Sequence, residues 1–176
     1  MDNTFEVTSG KLVVSDPSYK LGTWCQCTLD DVKNGTWEME IKHERNAESG
    51  PISKLIAHHE DHHCRFVGEW INGNICVDSG QLGVFDYDHY KNDSSLKDLP
   101  EPSFMYDYEG TELFYRHCCD ITLSKIGAGV IPHGCVSSSG YGDGSYVGEV
   151  FRDRDGKIVG VVVTFIDDDN CDEEDY

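Results

Sequence analysis

Three short polar stretches carry carboxylates where chemistry could be done. "SSSGYGDGSY", residues 137–146, sets three serines and two glycines ahead of a single aspartate, Asp143. "GKLVVSDPSY" leads into Asp16 from an apolar run, and "NICVDSG" leads into Asp78 in the same way. Glycines permit positive φ and close backbone approach, and consecutive N–H groups can form an anion-binding nest. Carboxylates beside hydroxyls suit a small ligand or a hard cation. Brought together, these stretches make one polar cleft, with a ligand-binding set of Asp16, Tyr19, Trp24, Asp78, Ser79, Ser138, Ser139, Gly140, Tyr141, Gly142, Asp143 and Gly144, in which Tyr19, Trp24 and Tyr141 are the aromatic walls. The competing reading is turn chemistry, where each aspartate closes an Asx turn and the serines satisfy loop carbonyls.

Other clusters are less specific. "HHEDHHC" offers His58, His59, His62, His63 and Cys64, but its order is not H-E-x-x-H and its flanks read as strands, so a solvated hairpin tip is expected and no metal is assigned. Cys25 and Cys27 form C-x-C, while Cys118 and Cys119 are adjacent; neither has the C-x₂-C spacing of structural zinc. Cys135 could pair with His133 or His117 as nucleophile and base only through tertiary proximity. "DRDG", Asp153 to Gly156, lacks the remaining ligands of a calcium loop and reads as a hairpin turn.

These residues need a scaffold, and 176 residues suffice for one domain with a sizeable core. Lys plus Arg number 14 against 33 Asp plus Glu, a net charge of -19 that repels phosphate backbones and argues against nucleic acid as a partner. Seven of the acids fall in the tail "DDDNCDEEDY". The first ten residues show no basic start followed by an apolar stretch, and no apolar run approaches the length of a membrane span. A cytoplasmic protein with mostly reduced thiols is the expectation.

"GTWEMEIKHE" alternates Trp37, Met39 and Ile41 with Glu38, Glu40 and Lys42, the period of a strand with one buried face. "KLVVSDPSY" is a strand ending at Asp16, before Pro17. "ISKLIAHH" and "CRFVGEWI" are further strands, and Asn72-Gly73 predicts a type I′ hairpin into "NICVDSG", giving an antiparallel meander over 35–86. A short helix is expected near 86–91, and Phe114, Cys118 and Ile121 predict an amphipathic one within 111–124. "YVGEVF", the turn "RDRDG" and "KIVGVVVTFI" form a second hairpin, its last strand central. The fold class is mainly β (α+β), a single domain of antiparallel sheets, β-sandwich or open-barrel-like, over 1–166, followed by an acidic tail over 167–176.

The blocks containing Ser15, Asp16, Pro17 and Tyr19, then Asp78, Ser79, Gly80, Gly83 and Phe85, then Ser138 to Gly144 and Tyr146, together resemble an uncharacterised family of bacterial and bacteriophage proteins, the domain of unknown function 4241 type. The resemblance is collinear from about residue 10 to 166 and implies no catalytic residues. It implies an accessory role, and from the phage setting a nucleotide-type defence signal as ligand. The leading expectation is therefore a small-ligand-binding protein, with Arg116 or Arg152 needed in the cleft if the ligand is an anion. Two alternatives stand beside it: a metal-assisted hydrolase using Asp16, Asp78 and Asp143, and an acidic immunity-like protein that blocks a basic partner. The sequence names no cofactor and leaves a homo-oligomer open.

Overall fold

The computed structural model describes residues 2–62, 68–104 and 112–168. Its strands are β1 (Thr4–Val7), β2 (Leu12–Ser15), β3 (Cys27–Leu29), β4 (Gly35–His43), β5 (Ile52–His59), β6 (Glu69–Trp70), β7 (Ile75–Val77) and β8 (Gln81–Asp86), then β9 (Ala128–Ile131), β10 (Gly134–Ser138), β11 (Gly144–Arg152) and β12 (Ile158–Thr164). An α-helix, α1 (Leu113–Thr122), lies between β8 and β9. The first sheet runs β1-β4-β5-β12-β11-β6, with β7 also on β11, and the second runs β3-β2-β8-β10-β9. The strand pairs are antiparallel, so the protein is mainly β, and the described residues form two facing sheets and one α-helix.

Alternation decides which residues enter which layer. Trp37 and Met39 of β4 are buried while Glu38 and Glu40 are exposed. In the second sheet both faces are covered, so β8 is buried at every position. Leu12, Val14, Leu82, Val84 and Cys135 face the first sheet. Val13, Phe85 and Val136 face a smaller core completed by Tyr90, Leu96, Phe114 and Cys118. The order of layers is sheet, sheet, helix. Phe85 sits deep in the outer core because Gly83 and Gly134 leave room for its ring: a Cβ at Gly134 would lie 2.5 Å from Phe85 Cδ1.

The helix matches the apolar spacing of Phe114, Cys118 and Ile121, and its first turn is closed from outside. Asp93 accepts hydrogen bonds from Leu113 N at 3.1 Å and Phe114 N at 2.9 Å, satisfying donors that a helix start leaves orphaned. The short helix expected near 86–91 is a 3₁₀ turn, Tyr87–His89. The hairpin of β11 and β12 forms as read, with Asp153 Oδ1 accepting from Asp155 N and Lys157 N at its turn. β12 lies between β5 and β11, a central position that explains its continuous apolar run.

The expected meander over 35–86 is replaced by something less local. Among the described residues of that region only β4 and β5 pair with each other; β6 and β7 both pair with β11, and β8 belongs to the other sheet. Asn72-Gly73 is therefore an interruption between two collinear stretches along β11, not a hairpin. Gly73 does take positive φ, at 113°. Asn72 does not, so the type I′ conformation is missing along with the hairpin. No helix among the described residues is long and apolar enough to cross a membrane. The tail beyond Asp168, and His63 and Cys64 of the histidine cluster, lie outside the described residues.

Candidate functional site

The three polar stretches do come together, at one end of the sandwich, and Asp16 is the knot. β2 ends at Ser15, and the Asp16 side chain that follows is fully buried. Its Oδ1 accepts from Ser18 N at 2.8 Å and Ser79 Oγ at 2.7 Å. Its Oδ2 accepts from Asp78 N at 2.8 Å and Ser79 N at 2.7 Å. Four donors leave this carboxylate no face for a ligand. A single carboxylate thus staples the corner after β2 to the turn between β7 and β8. Tyr90 braces the same corner by donating to Tyr19 O at 2.7 Å, and burial holds its phenol well above the ordinary range.

The glycine-serine loop between β10 and β11 is stapled to that turn in its own way. Ser139 N donates to Gly80 O at 3.1 Å, and Gly80 N donates to Asp143 Oδ1 at 2.9 Å. Within the loop Ser139 Oγ donates to Gly142 O at 2.9 Å, and Tyr146 Oη donates to Ser139 O at 3.1 Å. Gly140 has φ 58°, and a Cβ there would lie 3.0 Å from Phe165 Cβ, so a side chain is excluded by conformation and by space. Asp16, Ser79, Ser139, Gly140 and Gly142 accordingly act as turn chemistry. Ser138 donates to Thr122 O at the end of α1, and Tyr141 donates to Glu44 Oε2 at 2.7 Å; neither belongs to the cleft.

What these staples leave open is a cleft of about 660 Å³ lined by Tyr19, Thr23, Trp24, Cys25, Cys76, Val77, Asp78, Asp143, Gly144 and Ser145. Five of the sequence-derived residues, Tyr19, Trp24, Asp78, Asp143 and Gly144, are in it. Trp24 is 81% exposed, so its indole face is open to the cleft. Tyr19 Oη donates to Asp78 Oδ2 at 2.7 Å, and burial, reinforced by Asp78, raises the phenol's pKa so that it stays a donor. Cys25 and Cys76 lie side by side, with Cys76 N donating to Cys25 O at 3.1 Å; burial and the neighbouring thiol push Cys25 up.

Among the described residues the cleft lining has two carboxylates and no Lys, Arg or His. Arg116 instead holds Glu101 at 2.8 Å and Phe104 O at 3.0 Å, and Arg152 bonds Glu69 and Gly156 O. The anion-binding version of the sequence reading therefore lacks its cation. The trio Asp16, Asp78 and Asp143 likewise does not gather three free carboxylates, since Asp16 spends all its acceptors on protein donors. A larger hollow of about 840 Å³ lies on the outer face of the first sheet, over Ile56, Gly160, Val162 and Phe151. Its His58 is engaged with Glu40 at 3.2 Å.

The histidines and cysteines sort by burial. His59 is buried and satisfied, donating from Nε2 to Asn34 O at 3.0 Å and accepting at Nδ1 from Asp61 N at 3.1 Å. His58 and His59 sit at consecutive positions of β5, so they face opposite sides of the sheet. Cys135 lies between the two sheets, and burial pushes its thiol up to about 12. That rules out the nucleophile reading with His133 or His117, because the thiolate is inaccessible. His117 is buried on α1, its Nε2 has no hydrogen-bond partner among the described residues, and burial lowers its pKa.

One constellation was not foreseen. Asp86 ends β8 fully buried and meets His89 and His133, with one ligating atom from each residue all within 4.8 Å of one another. Burial would raise the Asp86 pKa, but hydrogen bonds from His89, Ser9 and Thr8 outweigh it and hold the carboxyl below its ordinary value. The spacing Asp86-x-x-His89 was the available local signal; His133 has none. No protein-family model, curated protein or solved structure matches the chain.

Proposed function

We propose that the protein is a binding module whose cleft takes a small ligand bearing a cationic group. The observation that carries this is the lining itself: an exposed indole, Trp24, beside Asp78 and Asp143, with no basic residue among the described lining to oppose a positive charge. A cation over a Trp face gains about 0.5–1 kcal/mol at exposed sites and more when desolvated. The two carboxylates add charge-assisted hydrogen bonds of about 1.5–3 kcal/mol each where they are reached. The same lining disfavours a nucleotide-type anion, which needs cations or free N–H groups, and Gly80 N is already engaged by Asp143. A basic partner protein presents the same chemistry on a Lys or Arg side chain. The exposed Leu21 in the Trp24 loop favours that as the second reading.

The test is a fluorescence titration of the full chain with choline, N-acetyl-lysine amide and AMP. Saturable quenching by either cation, lost in Trp24→Phe and weakened in Asp78→Asn, supports the reading. Saturation by AMP without any response to the cations overturns it.

A further inference from the structure

We propose that Asp86, His89 and His133 form a binding site for a divalent transition metal, on the far end of β8 from the cleft. The carboxylate is already oriented as a ligand. Its Oδ1 accepts from Thr8 N at 3.0 Å, Ser9 N at 2.9 Å and Ser9 Oγ at 2.7 Å, which turns Oδ2 toward the histidines. Thr8 Oγ1 approaches that oxygen only at 3.4 Å.

His133 is prepared in the same manner. Its Nδ1 donates to Glu6 O at 2.9 Å, which fixes the tautomer and leaves Nε2 a free lone pair. Its backbone is tied to the carboxylate's own residue, since Asp86 N donates to His133 O at 2.8 Å. Metal-binding imidazoles are oriented by such a bond from the second ring nitrogen to a carbonyl or carboxylate. The donor set decides the ion. Two imidazole nitrogens and one carboxylate oxygen suit zinc, cobalt, nickel, copper or ferrous iron, whereas calcium and magnesium prefer oxygen alone.

His89 is the part that must move. Its Nδ1 donates to Asp86 Oδ2 at 2.6 Å, and its ring stacks on His133 at 3.5 Å with 11° between the planes. Two ligands of one ion with bonds of about 2.0–2.2 Å sit roughly 3.0–3.5 Å apart, and parallel rings cannot both aim in-plane lone pairs at it. Loading therefore breaks the bond between His89 and Asp86 Oδ2 and swings the ring out of the stack, so that one ring nitrogen presents its lone pair to the ion while the other keeps the proton. A 3₁₀ turn carries His89, and its side chain is 25% exposed, so the swing disturbs no core. Three protein ligands leave further positions on the ion open to water or to a small molecule.

The experiment is titration of the full chain with Co(II), followed through its visible absorption, with Zn(II) competing. One equivalent bound is expected, and His89→Gln and His133→Gln should each weaken it by about tenfold or more. His58→Gln, in the other histidine cluster, and Asp78→Asn, in the cleft, should leave it unchanged. Circular dichroism checks that the two surface histidine variants stay folded. Absence of saturable binding overturns the proposal. So does binding that either His89→Gln or His133→Gln leaves intact, or that His58→Gln abolishes.

Discussion

Asp16 and Asp86 are two aspartates in the same situation with different company. Each follows or ends a strand of the second sheet, each is fully buried, and each collects backbone N–H groups from a distant segment. At Asp16 both oxygens are filled by amides and a hydroxyl. At Asp86 one oxygen is filled and the other is handed to an imidazole that reaches solvent. The lesson is that a buried carboxylate becomes available for chemistry when its second oxygen faces a group able to leave. Asp16 is a rivet between loops, and the cleft is what the rivet holds open.

The comparison breaks most readily at Asp16. Asp16→Ala strands Ser18, Asp78 and Ser79 donors at about 1–3 kcal/mol for each one left unsatisfied in the interior. Chemical denaturation should show a loss of several kcal/mol, with the cleft lost as well. Asp86→Asn should cost less, about 1.5–3 kcal/mol for its charge-assisted bond to His89, because an amide oxygen still accepts from Ser9 and Thr8. Equal losses at the two sites would mean that the histidine arm is as structural as the rivet.

Acid should separate the two ends further. The folded pKa of Asp86 is depressed, so its contribution is fully present above the unfolded value of about 3.9 and is lost as pH falls through the folded one. His117, also depressed by burial, contributes above about 6.5 and loses that contribution as pH falls below it. At the alkaline side Cys135 is raised to about 12, so its contribution holds below its unfolded value and drains as pH climbs toward 12. Stability measured against pH should fall on both sides, and Cys135→Ala should flatten the alkaline limb. The smallest stability effect belongs to Trp24→Ala, within about 0.5 kcal/mol because the indole is exposed, even though it removes the main wall of the cleft.

Legibility followed locality. The alternation of Trp37 and Met39, the helical spacing of Phe114 and Cys118, and the Asp153 turn are written within a few residues, and all three gave the right element. Asn72-Gly73 misled because the partner of β7 is set by β11, some seventy positions later, and a turn dipeptide holds no information about that. The convergence of the Asp16, Asp78 and Asp143 stretches was readable as a pattern of strand ends. Which oxygens would be spent was not, because that depends on where Ser79 and Gly80 point their N–H groups. The Asp86 site draws Thr8, Ser9, His89 and His133 from three separated segments, and only the His89 spacing leaves a trace.

The place of β12 in the first sheet has a temporal side. Its partner β5 pairs Ala57 with Val161 and Leu55 with Val163, contacts that span about a hundred residues. β4 and β5 precede β12 by about a hundred residues, so the edge of β5 that pairs with β12 has no partner until β12 is made. An edge exposed that long is a template for pairing with another chain. Pairing across so long a stretch is intrinsically slow, since long loops must close before their contacts repay the cost. The residue types on that waiting edge, Lys54 and His58 among its apolar positions, supply the charge and polarity that discourage a neighbour from docking there first.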